Sequence, residues 1–203
     1  MVKEPIRIAV LVSGGGTNLQ ALIDAESSGI IKSGKIACVI SSQPDAYALT
    51  RATDNGIKTR VLVRKDYVDI ASYSKAMRDV LLEEKADVVV YAGFMTILDE
   101  NVCDAFPNRM INVHPALIPS FCGEGFYGLK VHEAALNYGV KITGATVHFV
   151  NEIPDGGKII LQKAVEVLEG DTPETLQRRV MEQAEWEILP LATEMVAQQI
   201  IKG

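Results

Sequence analysis

Arg7-Ile8-Ala9-Val10-Leu11-Val12 runs into Ser13-Gly14-Gly15-Gly16-Thr17-Asn18, and Leu19, Leu22 and Ile23 follow at helical spacing. The apolar run reads as a strand, the glycines as a tight loop and the spaced apolar residues as a helix. The same alternation continues downstream. Residues 35–40 read as a second strand, 46–55 closed by Gly56 as a helix, and 59–63 as a third strand. A longer helix is expected over 68–84, with Tyr73, Met77, Val80 and Leu81 on one face. Asp87-Val88-Val89-Val90-Tyr91-Ala92 is a continuous apolar run of the kind found in strands buried on both faces, and 110–113 is a shorter central strand. Strands alternating with helices imply an α/β fold, a doubly wound and mostly parallel sheet with helices on both faces and ligands at the carboxyl ends of the strands.

After Val113 the pattern changes. Residues 115–130 form a glycine- and proline-containing stretch without periodicity, which in a compact domain is often a functional loop. A helix over 131–138 follows, then two strands over 142–150 and 158–167 joined by 151–157. Thr172 caps a final helix with Pro173 at its first position, and Pro190 is expected to kink or end it. No linker divides the chain. The reading is one domain over 1–203, with a nucleotide- or phosphate-binding half (about 1–105) and a folate and catalytic half (about 106–203).

Composition narrows the function. A formal net charge of −6 argues against a nucleic-acid coat protein, yet backbone amides at a helix start can still bind a small anion. No apolar run reaches the roughly 18 residues a membrane span needs, and Met1-Val2-Lys3-Glu4-Pro5 is not a secretory signal. The three cysteines, Cys38, Cys103 and Cys122, lack metal-type spacing and fit reduced thiols in the cytoplasm. No metal is expected.

Three short segments carry chemistry. The glycine loop is neither a Walker A loop nor a full dinucleotide fingerprint, because Leu19 stands at the third glycine position. In Asn112-Val113-His114-Pro115, strand alternation puts an amide and an imidazole on one side, where they could hold a developing oxyanion. Asp155-Gly156-Gly157 is an ordinary turn signal, but it also brings a carboxylate that could orient a histidine or accept a proton. Taken singly, these have plainer readings: a β–α turn, a structural histidine, a hairpin. By the same pattern His132 falls in the first turn of a helix as an exposed residue, and His148 has a supporting role.

Taken in order, Ser13 to Gln20, Ala92-Gly93-Phe94-Met95, Asn112 to Pro119, and His148-Phe149-Val150 with Asp155-Gly156-Gly157 resemble the phosphoribosylglycinamide formyltransferases, folate-dependent enzymes of purine synthesis. The resemblance implies a Rossmann-like formyltransferase fold. It also implies transfer of the formyl group of 10-formyltetrahydrofolate to the amine of glycinamide ribonucleotide. The catalytic trio would be Asn112, His114 and Asp155. The nucleotide would be held by Gly15, Gly16, Thr17, Asn18 and Glu185. The folate would lie along Phe94, Met95, Thr96, Ile97 and Leu98, and against Val150, Asn151, Glu152 and Asp155. The partners are these two small molecules, with no nucleic acid or membrane, in a monomer or weak homodimer.

Several positions depart from the family pattern. Thr96 stands where many members have arginine, Ala116 where serine is frequent, about Ile70 where an arginine is common (with Arg64 or Lys65 as substitutes), and Lys130 where histidine is frequent. The loop Phe121 to Gly128 is longer than in some relatives. The alternative readings are a formyltetrahydrofolate hydrolase, which usually carries a further N-terminal domain, and a phosphate- or nucleotide-binding module without catalysis. A methionyl-tRNA formyltransferase is disfavoured by length and charge.

Overall fold

Seven strands form one sheet in the order β3-β2-β1-β4-β5-β6-β7 in the computed structural model, which describes residues 4–202. The first half of the chain supplies β1 (Ile6–Val12), α1 (Thr17–Ser28), β2 (Gly34–Ser41), α2 (Tyr47–Asp54), β3 (Lys58–Val61), α3 (Ile70–Glu83), β4 (Val88–Tyr91) and α4 (Glu100–Ala105). The second supplies β5 (Met110–His114), α5 (Leu129–Tyr138), β6 (Ile142–Phe149), β7 (Ile159–Glu166), α6 (Pro173–Val180) and α7 (Trp186–Lys202). Strands β1 to β5 are parallel, and β6 and β7 run antiparallel at one edge. The expected doubly wound sheet is therefore present. The short α4 is an element the periodicity did not reveal.

Each face of the sheet buries its own core. On one, Val10 and Val90 pack against Leu19 and Leu22 of α1, Ala135 of α5, Leu176 and Val180 of α6 and Leu189 of α7. On the other, Leu11 and Val89 meet Tyr73, Met77 and Leu81 of α3, together with Phe94, Leu98 and Val102. All four residues of β4 are buried, as a strand covered on both faces requires. Among the described residues no helix is long and apolar enough to cross a membrane.

Pro190 neither ends nor breaks its helix. It lies inside α7 and is buried. The irregularity sits one turn upstream, where Met181–Glu185 form a π-helical turn. Proline has no N–H for the Trp186 carbonyl and its ring crowds that carbonyl, yet the helix runs on through it to Lys202. The π-helical turn sets Gln177, Met181 and Glu185, each four residues apart, along one cleft.

Candidate active site

The carboxyl ends of β1, β4 and β5 open into a cleft of roughly 680 Å³. At its head lies Asp155. Its Oδ2 accepts a 2.9 Å hydrogen bond from the Gly123 N–H and is 3.4 Å from His114 Nδ1; its Oδ1 is 3.4 Å from His148 Nε2 and 3.5 Å from Asn112 Nδ2. Burial alone would raise this carboxyl. The Gly123 amide, together with the charge that His148 and His114 carry when protonated, outweighs it and holds Asp155 below the usual carboxylate range.

Local structure explains how the aspartate comes to this place. Asp155 itself has φ 56°, a left-handed conformation that aspartate and asparagine tolerate. The two glycines after it are sterically required. A Cβ on Gly156 would lie 2.6 Å from Ile153 Cγ2, and one on Gly157 would overlap the Phe149 carbonyl.

β5 presents Asn112 and His114 on the same side, as strand alternation demands. The antiparallel register sets Asn112 opposite His148 and His114 opposite Thr146. Carbonyls accept only, which fixes the tautomers of neutral rings. His148 donates from Nδ1 to the Phe149 carbonyl at 2.8 Å, so its Nε2 accepts from Asn112 Nδ2 at 3.2 Å. His114 donates from Nε2 to the Phe121 carbonyl at 2.8 Å and turns Nδ1 toward Asp155. Burial pushes the His114 pKa below its ordinary value, against the opposing pull of Asp155 and the Phe121 carbonyl.

The second polar group of the cleft pairs α1 with the π turn. Asn18 Nδ2 donates to Glu185 Oε2 at 2.7 Å, and both residues are buried. Burial pushes Glu185 up to about 7, the Asn18 bond opposing it. Asn18 Oδ1 has no partner. Gly16 caps α1 with φ 72° and no side-chain bond, and the first backbone N–H to find an intrahelical carbonyl is that of Gln20. The amides of Thr17, Asn18 and Leu19 are left as an anion-binding edge.

An apolar wall faces this edge. Phe94 and Leu98 are buried, Met95, Ile97 and Ile153 are exposed at the mouth, and Val150 joins them. The Met95 N–H donates to Ser13 Oγ at 3.0 Å, tying this segment to the glycine loop.

Residues 6–193 match the family model for formyl transferase. The chain belongs to the formyl transferase family. Its relatives include the phosphoribosylglycinamide formyltransferase of Haemophilus influenzae, 42% identical over 91% of this chain and 84% of that protein. The human trifunctional purine biosynthetic protein adenosine-3 is 45% identical over 96% of this chain, but the chain spans only 19% of that relative's length. Among solved structures, glycinamide ribonucleotide transformylase 1 of Symbiobacterium toebii superposes with a TM-score of 0.90 at 42% identity, covering 97% of this chain and 90% of that one.

In this family member the cleft gathers most residues singled out by sequence: Thr17, Asn18, Asn112, His114, Asp155 and Glu185, with Phe94 to Leu98, Val150 and Asn151. Gly15, Gly16 and Glu152 do not line it. Arg64 does not reach it; its guanidinium donates to the Tyr67 carbonyl at 2.9 Å and lies over the Tyr73 ring. His132 is fully buried, with neither ring nitrogen partnered, instead of exposed. It lies in the first turn of α5, the turn that carries Val131, also fully buried, inward. Phe121 and Gly123, whose backbone holds His114 and Asp155, carried no side-chain signal. Among the described residues no group of three or more His, Cys, Asp or Glu is placed to hold a metal ion.

Proposed function

We propose that this chain transfers the formyl group of 10-formyltetrahydrofolate to the amine of glycinamide ribonucleotide, a step of de novo purine synthesis, and that residues 1–203 act as one domain in the cytoplasm. The observation that carries the reading is the gathering of Asn112, His114 and His148 around one ionised carboxylate, in the cleft that also holds the Asn18–Glu185 pair. The relatives named for this activity over most of their length support it.

The nucleotide's phosphate would take the free amides of α1, with Asn18 Oδ1 and Glu185 left for its hydroxyl or amine hydrogens. The folate's flat ring system would lie on the wall of Phe94, Leu98 and Val150, with Met95, Ile97 and Ile153 covering its outer end. The substrate amine attacks the formyl carbon and a C–N bond forms. Charge develops on the formyl oxygen, where Asn112 Nδ2 and His114 Nε2 donate. The amine's proton passes to Asp155, through a water, and on to His114 Nδ1, so an imidazolium stands beside the oxyanion. Collapse breaks the bond to the folate nitrogen, which takes that same proton from His114 by way of Asp155 and the water, so both groups return to their starting states.

The test is a formyl-transfer assay with both substrates and a control lacking the amine. Formylated nucleotide that depends on both substrates is expected. Folate deformylation at the same rate without the amine would overturn the reading.

A further inference from the structure

The cleft holds little positive charge. Among the described residues lining it, Lys130 is the one lysine or arginine, against the carboxyls of Glu124, Asp155 and Glu185. A phosphate monoester entering such a cleft meets repulsion from Asp155 and Glu124 that the amides of a helix start offset only in part.

Lys130 lies in the first turn of α5 and is exposed. Its Nζ donates to the Tyr127 hydroxyl at 3.0 Å and sits 4.4 Å from the centre of that ring. It pairs with no carboxylate among the described residues. The ammonium is therefore tethered to the cleft wall by an uncharged partner, with two donors to spare.

The helix that carries it packs on one face of the sheet. Ala135 of α5 shares a core with Leu19 and Leu22 of α1, whereas Phe94 and Leu98 belong to the core on the opposite face of the sheet. Lys130 and Tyr127 line the same cleft as Thr17 and Asn18, the residues whose amides open α1.

We propose that Lys130, steadied by Tyr127, is a specificity-determining residue that recognises the phosphate monoester of the nucleotide substrate. The identity of that substrate rests on the function proposed above; the phosphate contact does not need turnover to be tested. Calorimetric titration with D-ribose 5-phosphate serves as the probe, on the wild type, Lys130→Gln and Lys130→Arg, with melting temperatures to verify folding. Lys130→Gln should weaken ribose 5-phosphate by about tenfold, the scale of one charge-assisted hydrogen bond. Lys130→Arg should retain most of the affinity, and the wild type should lose affinity with added salt more steeply than Lys130→Gln. In steady-state assays the nucleotide KM should rise by more than kcat falls, with the folate KM unmoved. Unchanged affinity in a folded Lys130→Gln protein, no millimolar binding by the wild type, or a loss confined to the folate KM would each overturn the proposal. Ribose 5-phosphate binding that depends on Lys130, in a protein that transfers no formyl group, would uphold the contact and defeat the enzymatic reading alone.

Discussion

His114 reaches the Phe121 carbonyl with one ring nitrogen, at 2.8 Å, and faces Asp155 with the other, at 3.4 Å. The Nε2–H is already on the Phe121 carbonyl, so it meets a substrate oxygen only by exchanging that carbonyl for it. That exchange costs about 1 kcal/mol if nothing replaces the bond, and is offset when an oxyanion does. Replacing His114 by alanine or Asn112 by serine should lower kcat by about 10²–10³ each, the range for one lost oxyanion donor. Since both act on the same charge, the double variant should lose less than the product of the two effects. Fully multiplicative losses would mean separate tasks.

Asp155→Asn keeps the shape and the left-handed backbone while removing the charge. Melting temperature should hardly change and turnover should fall by roughly 10²–10⁴. Both are to be measured on one purified sample; an active, stable variant contradicts the proton path drawn through this carboxylate.

His148 does not reach for substrate in this arrangement; it orients Asn112 from across the strand pair. His148→Gln preserves an acceptor that Asn112 can use and should retain about a tenth of wild-type kcat or more, whereas His148→Ala strands the amide and should fall well below that. Equal losses in the two variants would remove His148 from the positioning role.

Glu185 gives a pH signature of unusual sign. Its folded-state pKa, about 7, lies above the unfolded carboxyl value. The folded chain therefore holds the proton more tightly. The stability from this group is complete below about pH 4.3 and is lost as pH rises through about 7. Urea denaturation at pH 5 and pH 8 should show wild-type stability declining between them by on the order of 2–3 kcal/mol from this residue. Glu185→Gln should flatten that decline, and an unchanged slope would refute the assignment.

Gly16 separates a packing role from a binding role. A Cβ there would stand 2.6 Å from Ala48 Cβ, whereas nothing lies within 4 Å of one on Gly15. Gly16→Ala should cost about 1–3 kcal/mol of stability and Gly15→Ala little, by thermal melts. A branched residue at Gly16 therefore strikes α2 before it obstructs any phosphate.

The sheet was legible because its strands are apolar runs and its loops are glycine-marked. The parallel β1 to β5 follow from that alternation alone. The meeting of Asn112, His114 and Asp155 was expected only from the resemblance to the phosphoribosylglycinamide formyltransferases. What escaped was what depends on tertiary register or on backbone atoms. His148 becomes meaningful only once β6 is laid antiparallel to β5. The Phe121 carbonyl and Gly123 amide have no side-chain identity to read. Pro190 does not end its helix, because one missing N–H at a buried position leaves the rest of the α7 ladder in place. His132 misled because the start of a helix is exposed only when no loop or neighbouring helix lies over it.

The pairing of Asn112 with His148 also says where the chain can change length. Added residues between His114 and Ile142 lengthen a loop or a helix end and leave the two strands in step. One residue added within β6 before His148 would shift the ladder and bring an apolar neighbour opposite Asn112, turning its histidine toward the other face of the sheet. Insertions and deletions among natural variants should therefore collect at 124–128, beyond the Phe121 and Gly123 backbone contacts, and be absent from 145–149.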